Sequence, residues 1–525
     1  MPNLFHHIVS NSSHRDPDAC ALVFKNEEKT YLELQTDIEH LANELLNLGL
    51  KPNRRVAIYL PKQFESVISF FAITLAGGVF VPVNPLLKPH QVEHILYDCD
   101  VDILITSKSR YKQLISKLEK LPARIQIILT DQKSEEAPIE NCLRWQNLIE
   151  APKLKIIFPK KISQDMSAIL YTSGSTGQPK GVVLSHQNLV EGAKSVASYL
   201  NNNGSDRLLA VLPFSFDYGL SQLTTAFLKG ACVVLLEYLL PRDVINAVTK
   251  FKITGLAAVP PLWIQLADLQ WSDQAKQSLR YFTNSGGAMP IDTLSKLRYE
   301  LPNSQPFLMY GLTEAFRSTY LAPSEIDKRP TSMGKAIPNA EILVINDQGE
   351  ICHANEEGEL VHRGVHVAMG YWNAPEKTAE RFKAIRLLEN TGLNSQMAVW
   401  SGDRVKKDED GFLYFIGRND EMIKCSGYRI SPSEIEESLH QLEEVSEVIA
   451  FGVTDEKLGQ KIKLVITPSS AREMNAEFSE EFKKIIFGYC KNNLPNFMQP
   501  HEIKLLNNLP KNANGKTDRS LLSNS

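Results

Sequence analysis

Tyr171–Val183 reads YTSGSTGQPKGVV. Gly174, Gly177 and Gly181 alternate there with Thr172, Ser173, Ser175 and Thr176, and Lys180 adds a full positive charge. Glycine permits φ > 0 and lets backbone N–H groups close on an anion, while the hydroxyls add donors. An apolar approach, Met166–Leu170, predicts a short buried strand before the loop, and Ser185 predicts the cap of a helix after it. Strand, hydroxyl-rich glycine loop and helix together describe a phosphate cradle. A P-loop of the GxxxxGKS/T type does not fit, because Lys180 lies between Pro179 and Gly181. A free Ser/Gly linker does not fit either, since apolar segments flank the loop.

Outward from this loop, strands and helices alternate. Apolar spacing over residues 31–48 predicts a helix closed by Gly49. Strands are predicted at Val56–Leu60, Val101–Ile105 and Ile125–Leu129, with helices at Gln91–Asp98 and Lys112–Leu121 between them. The uncharged run Ser66–Leu87 is long enough to cross a membrane. It is split by Gly77-Gly78, however, and followed by Pro82 and Pro85, so a buried helix, a turn and a strand fit better than a transmembrane segment. Beyond the loop, strands end at Pro213–Gly219, at Pro260-Pro261, at Ser285-Gly286-Gly287-Ala288 and at Tyr310-Gly311-Leu312-Thr313-Glu314. The pattern predicts an α/β fold of mainly parallel sheets flanked by helices. Such sheets bind ligands past the C-terminal ends of their strands, which places the site at those four loops. From about residue 335 the texture becomes short-stranded β. After Gly417-Arg418-Asn419-Asp420 a last unit of about a hundred residues reads as a small α+β domain. The expected boundaries are 1–419 and 420–525.

At 525 residues the chain is too long for one core, and its 43% apolar and 22% charged content is that of a soluble protein. A net charge of -4 gives no reason to expect nucleic acid as a partner. The seven cysteines are scattered, with no CxxC pair, as expected of reduced thiols in a cytoplasmic protein without a metal cluster. The N-terminus has neither the basic start nor the apolar core of a signal peptide.

Taken together the motifs resemble the adenylate-forming superfamily of acyl-CoA synthetases, nonribosomal-peptide adenylation domains and luciferases, from about residue 10 to 520. Within it the chain looks most like bacterial AMP-forming acyl-CoA ligases associated with exosortase loci. The resemblance implies ATP-dependent activation of a carboxylic acid or amino acid to acyl-AMP, with pyrophosphate released. Transfer to a thiol follows, of coenzyme A or of the phosphopantetheine on a separate carrier protein. It implies ATP and Mg²⁺ as cofactors and a mobile C-terminal domain.

The resemblance also assigns residues. Thr172–Gly177 and Lys180 would cradle the phosphates, Thr313 would touch the α-phosphate, and Glu314 would ligate the metal. Tyr310 would stack on adenine, with Gly311 also in the ATP site; Asp403 of Ser401-Gly402-Asp403 would grip the ribose, and Arg418 would contact ribose or phosphate. The superfamily has Thr where this chain has Ser401. Asp420 would be the hinge and Lys516 the mobile lysine of adenylation. Lys424, Ser426 and Gly427 would meet the thiol arm after the small domain turns. The acid pocket would use Phe214, Asp217, Tyr218, Gly286, Gly287 and Ala288. Asp217 has two readings, a partner for a substrate ammonium or a cap of the following helix. An oxygenase working on the same adenylate, or a silent nucleotide-binding homologue, are the alternative functions.

Overall fold

The structure is a computed structural model. It describes residues 1–121, 125–152, 156–172, 179–385, 397–418, 422–469 and 476–510. Lys516, Asp420 and the loop positions Ser173, Gly174, Ser175, Thr176 and Gly177 lie outside the described residues.

Two large sheets carry the first part of the chain. One runs Lys335–Ala336, Thr319–Leu321, Gln305–Tyr310, Tyr281–Asn284, Gly255–Ala258, Arg207–Ala210, Cys232–Leu235, Cys20–Phe24, Glu27–Thr30. The other runs Gly370–Tyr371, Lys180–Ser185, Met166–Thr172, Val79–Pro82, Arg55–Tyr59, Val101–Thr106, Gln126–Leu129, Cys142–Arg144. Their central pairings are parallel, and the antiparallel ones sit at the edges. The expected α/β architecture of mainly parallel sheets is therefore the one observed. Helices Tyr31–Asn47, Phe64–Leu75, His186–Tyr199 and Asp217–Lys229 join strands of both sheets in one continuous apolar core. Helix Phe64–Leu75 overlaps the first part of the uncharged run Ser66–Leu87 that is long enough to cross a membrane. It is buried along most of its length instead, and among the described residues no helix is long and apolar enough to span one.

Between the glycine loop and the helix expected after Ser185, the structure places a strand that the sequence did not announce. Lys180–Ser185 pairs antiparallel with Met166–Thr172, the strand that precedes the loop. The helix begins only at His186, where Ser185 caps it as expected, its Oγ accepting from the Asn188 N–H at 3.1 Å. Val182, Val183 and Leu184 are buried β-branched or aliphatic residues, and a strand accommodates them better than a helix start.

A third sheet, Ala340–Ile345, Glu357–Gly364, Met397–Lys407 and Phe382–Ala384, with Leu413–Arg418 paired to Met397–Lys407, forms the β region. Ser401-Gly402-Asp403 is not a turn between elements but a bulge inside an eleven-residue strand. Trp400 faces Val361 and Arg404 faces Glu359, leaving the tripeptide opposite Leu360 alone. Such a bulge re-aims a side chain. The fourth sheet, Tyr428–Ile430, Ile423–Cys425, Gly459–Pro468, Val445–Asp455 and Glu502–Leu505, has its own core with helices Pro432–Leu439 and Ala476–Asn493.

Candidate active site

The C-terminal ends of several parallel strands open onto one cavity. Asn84 follows Val79–Pro82, Val259 follows Gly255–Ala258, Ser285 follows Tyr281–Asn284, and Gly311 follows Gln305–Tyr310. Thr172 comes from the strand that precedes the glycine loop. The cavity holds about 190 Å³. Its far wall is built by the small domain, which contributes Lys424, Gly427, Tyr428, Arg429, Phe497 and Met498.

Thr313, Glu314, Gly311, Asp403, Asp217, Tyr218 and Gly286 all line this space, as do Lys424 and Gly427. Gly311 has to be glycine here, since a Cβ would come within 2.8 Å of the Phe316 carbonyl, where the chain doubles back. Glu314 is 5% exposed and accepts from the Tyr371 hydroxyl at 2.7 Å. Burial pushes its carboxyl up. Arg429, the Tyr371 hydrogen bond and Lys180 outweigh that and hold it below the usual carboxylate value. Lys180 lies over the Tyr371 ring at 4.6 Å. Burial lowers its ammonium to about 8, Glu314 opposing and Arg429, Arg381 and Lys377 adding to the fall. Lys180, Arg429, Arg381 and Lys377 gathered near the ionised Glu314 make an environment suited to phosphates.

The Tyr310 hydroxyl donates to Asp403 Oδ2 at 2.5 Å. Asp403 is set by its own bulge, its N–H donating to Ser401 Oγ at 3.1 Å while Ser401 Oγ donates to the Leu360 carbonyl at 2.7 Å. Serine therefore supplies the same bond a threonine would at this position. Arg418 pairs across the sheet with Asp403, so the residue assigned to ribose and the one assigned to ribose or phosphate are neighbours.

Several assigned residues fall elsewhere. Phe214 does not line the cavity. It is buried in the core, edge-on to Phe70 at 6.0 Å, and Phe216 faces the cavity in its place. Gly287 and Ala288 line a second, larger cavity of about 880 Å³. Gly286, Lys424 and Gly427 line both spaces and form the partition. Ser426 lines neither and donates its N–H to the Leu458 carbonyl at 2.9 Å. Asp217 is the first residue of its helix rather than its cap, which is Phe216.

Two site residues were missed. Tyr371 carried no signal beyond an aromatic after a glycine. Its place is set by the pairing of Tyr371 with Val182, which puts it beside the strand Lys180–Ser185. Arg317 could have been noticed as a lone charge between Phe316 and the apolar-flanked strand Thr319–Leu321. It is 2% exposed and lines the cavity. Its Nη1 stands 3.6 Å from Asp217 Oδ2, and the guanidinium lies 4.6 Å over the Tyr218 ring. Burial pushes the Asp217 carboxyl up against the pull of Arg317.

Residues 9–372 match the family described as AMP-binding enzyme, and residues 434–516 match its C-terminal domain. The chain belongs to the AMP-binding enzyme family. This AMP-binding enzyme is an AMP-forming acid–thiol ligase. It is similar to the long-chain-fatty-acid–CoA ligase of Bacillus subtilis, 28% identical over 544 residues, covering 98% of this chain and 93% of that protein. It is also similar to bacitracin synthase 3 of Bacillus licheniformis, 27% identical over 519 residues, covering 98% of this chain but 8% of that protein. Among solved structures it shares its fold with o-succinylbenzoate CoA synthetase from Bacillus subtilis in two forms. The form bound to a product analogue, OSB-NCoA, gives a TM-score of 0.84 at 24% identity over 100% of this chain and 99% of that one. The complex with the acyl-adenylate intermediate gives 0.69 at 25% identity over 100% and 98%.

Proposed function

We propose that this ligase uses two faces of its small domain in turn. Residues 1–419 hold the nucleotide and the acid. Residues 420–525 turn about Asp420, offering Lys516 during adenylation and the Lys424–Gly427 turn during thioester formation. The observation that carries this reading is the cavity wall. Lys424, Gly427 and Arg429 of the small domain line the same cavity as Thr313, Glu314 and Asp403. The higher TM-score against the product-analogue complex is in keeping with the thioester-forming arrangement.

Glu314 would hold the Mg²⁺ ion, which neutralises phosphate charge as the acid approaches; a buried carboxylate kept ionised fits that need. Thr313 would position the α-phosphate, Lys180 and the hydroxyl loop the leaving pyrophosphate, Asp403 and Arg418 the ribose. An anionic acid must meet an anionic triphosphate, so each cation lowers a repulsion that grows in the transition state.

Gly427 separates the two cavities, and a thiol arm entering from the larger one would pass it to reach the acyl group. The acceptor is coenzyme A or the phosphopantetheine of a separate carrier protein. Reaction in the cytoplasm is supported by seven cysteines that are all free thiols. The test is to offer ATP, Mg²⁺ and a panel of acids with each acceptor and to follow AMP and thioester by mass. AMP with an acid-dependent thioester supports the reading; ADP, or an oxygen-dependent product without thioester, overturns it.

A further inference from the structure

The floor of the acid pocket carries both signs of charge, and the two do not close on each other. Asp217 Oδ2 and Arg317 Nη1 stand 3.6 Å apart. A closed guanidinium–carboxylate pair sits at about 2.7–2.9 Å. Two side-chain hydrogen bonds around the pair are also long: Thr313 Oγ1 donates to Asp217 Oδ1 at 3.4 Å, and Arg317 Nη1 donates to Ser285 Oγ at 3.4 Å. Asp217 is further steadied by the Tyr218 backbone N–H, and Arg317 by the Tyr199 side chain and the face of the Tyr218 ring. Arg317 is 2% exposed, and its Nε and Nη2 are buried without a hydrogen-bond partner. The neighbouring Ser215 Oγ is likewise buried and unpartnered. A buried polar group without a partner is costly, so a site left this open is arranged for something that fills it.

What fills it must satisfy an acceptor and a donor at once. A substrate ammonium would pair with Asp217 but would lie against the Arg317 guanidinium, and like charges at such range repel strongly away from water. A second carboxylate has the opposite difficulty, attracted by Arg317 and repelled by Asp217. A hydroxyl carries no charge, donates one hydrogen bond and accepts two. It would donate to Asp217 and accept from Arg317 without disturbing the balance of the pair.

We propose that Asp217 and Arg317 together select a hydroxy-substituted carboxylic acid as the substrate of this ligase, over its amino and dicarboxylic counterparts. The inference rests on the ligase reading above and narrows its substrate class. Arg317 is the specificity-determining member, because it cancels the preference that Asp217 alone would have for an ammonium.

The experiment is acid-dependent ATP–pyrophosphate exchange by the full chain. Matched acids of three to eight carbons are each offered in plain, hydroxy, amino and dicarboxylic form. At the best length the hydroxy form should exceed the amino and dicarboxylic forms in kcat/KM by about tenfold or more. An amino, dicarboxylic or plain form that ranks first overturns the proposal while leaving the ligase reading intact. Absence of exchange with every acid overturns both. Arg317→Met should raise the amino form at least tenfold relative to the hydroxy form, mainly through KM; an unchanged ranking contradicts the proposal. If that variant does not fold, as judged by its melting transition, Asp217→Asn supplies the second arm. It leaves Arg317 uncompensated and should favour the dicarboxylic form by the same margin. An unchanged ranking there contradicts the proposal equally.

Discussion

Replacing Gly427 with alanine separates the two half-reactions by a single methyl group. The residue sits at φ +81, and an added Cβ would lie 2.8, 2.9 and 3.1 Å from Cγ1, Cβ and Cγ2 of Val259. Two costs follow. The left-handed conformation costs an alanine about 1–2 kcal/mol, but it belongs to the turn itself and is present wherever the small domain stands. The clash with Val259 exists only while the turn is docked on the large domain. Overpacking of this kind costs about 1–3 kcal/mol. At about 1.4 kcal/mol per factor of ten, the docked step alone should slow by about five- to 150-fold. The assay measures pyrophosphate exchange for adenylation and thioester release from supplied acyl-AMP for transfer. Exchange within about twofold of wild type, with transfer reduced in that range, is the expected result. Equal loss in both, or none in transfer, refutes the reasoning.

Glu434 predicts a pH dependence of docking. Its Oε1 accepts from Gln91 Nε2 of the large domain at 2.9 Å, while Oε2 is buried without a partner. Burial raises its carboxyl from 4.5 to about 7, helped by Glu437 and opposed by Gln91. Once undocked it returns to the ordinary value, so docking takes up a proton between about pH 4.5 and 7. The docked population should fall as pH rises through that window, and Glu434→Gln should abolish the slope in a fluorescence distance measurement between domains. Lys180, held at about 8 by burial, should lose its charge as pH rises through that value. The kcat/KM for ATP should fall there, and Lys180→Arg should move that limb out of range. Lys516→Ala should lower adenylate formation by orders of magnitude while leaving transfer from supplied acyl-AMP largely intact, read in the same paired assays.

The fold was legible because parallel strands announce themselves as short apolar runs between helical spacings, and the site because loops after such strands converge. Thr313, Glu314, Gly286 and Asp217 came from that rule and do share one cavity. What escaped the sequence was direction. Phe214 and Phe216 are two residues apart in one loop, yet one packs on Phe70 and the other meets Tyr428 of the small domain at 5.0 Å. Composition cannot tell which way a loop side chain turns. The strand Lys180–Ser185 escaped because a glycine loop before a capped helix has the same local signature whether or not a strand intervenes. Arg317 and Tyr371 act through partners 100 and 57 residues away, Asp217 and Glu314, and no local spacing encodes such pairs.

The claim that one docked arrangement serves only the second half-reaction can be tested by locking it. Gln91→Cys and Glu434→Cys, facing each other across the domain boundary, would be bridged with a short bifunctional thiol reagent. The bridged enzyme should lose acid-dependent pyrophosphate exchange yet still convert supplied acyl-AMP and thiol to thioester. Exchange that survives bridging at the unbridged rate would contradict the account.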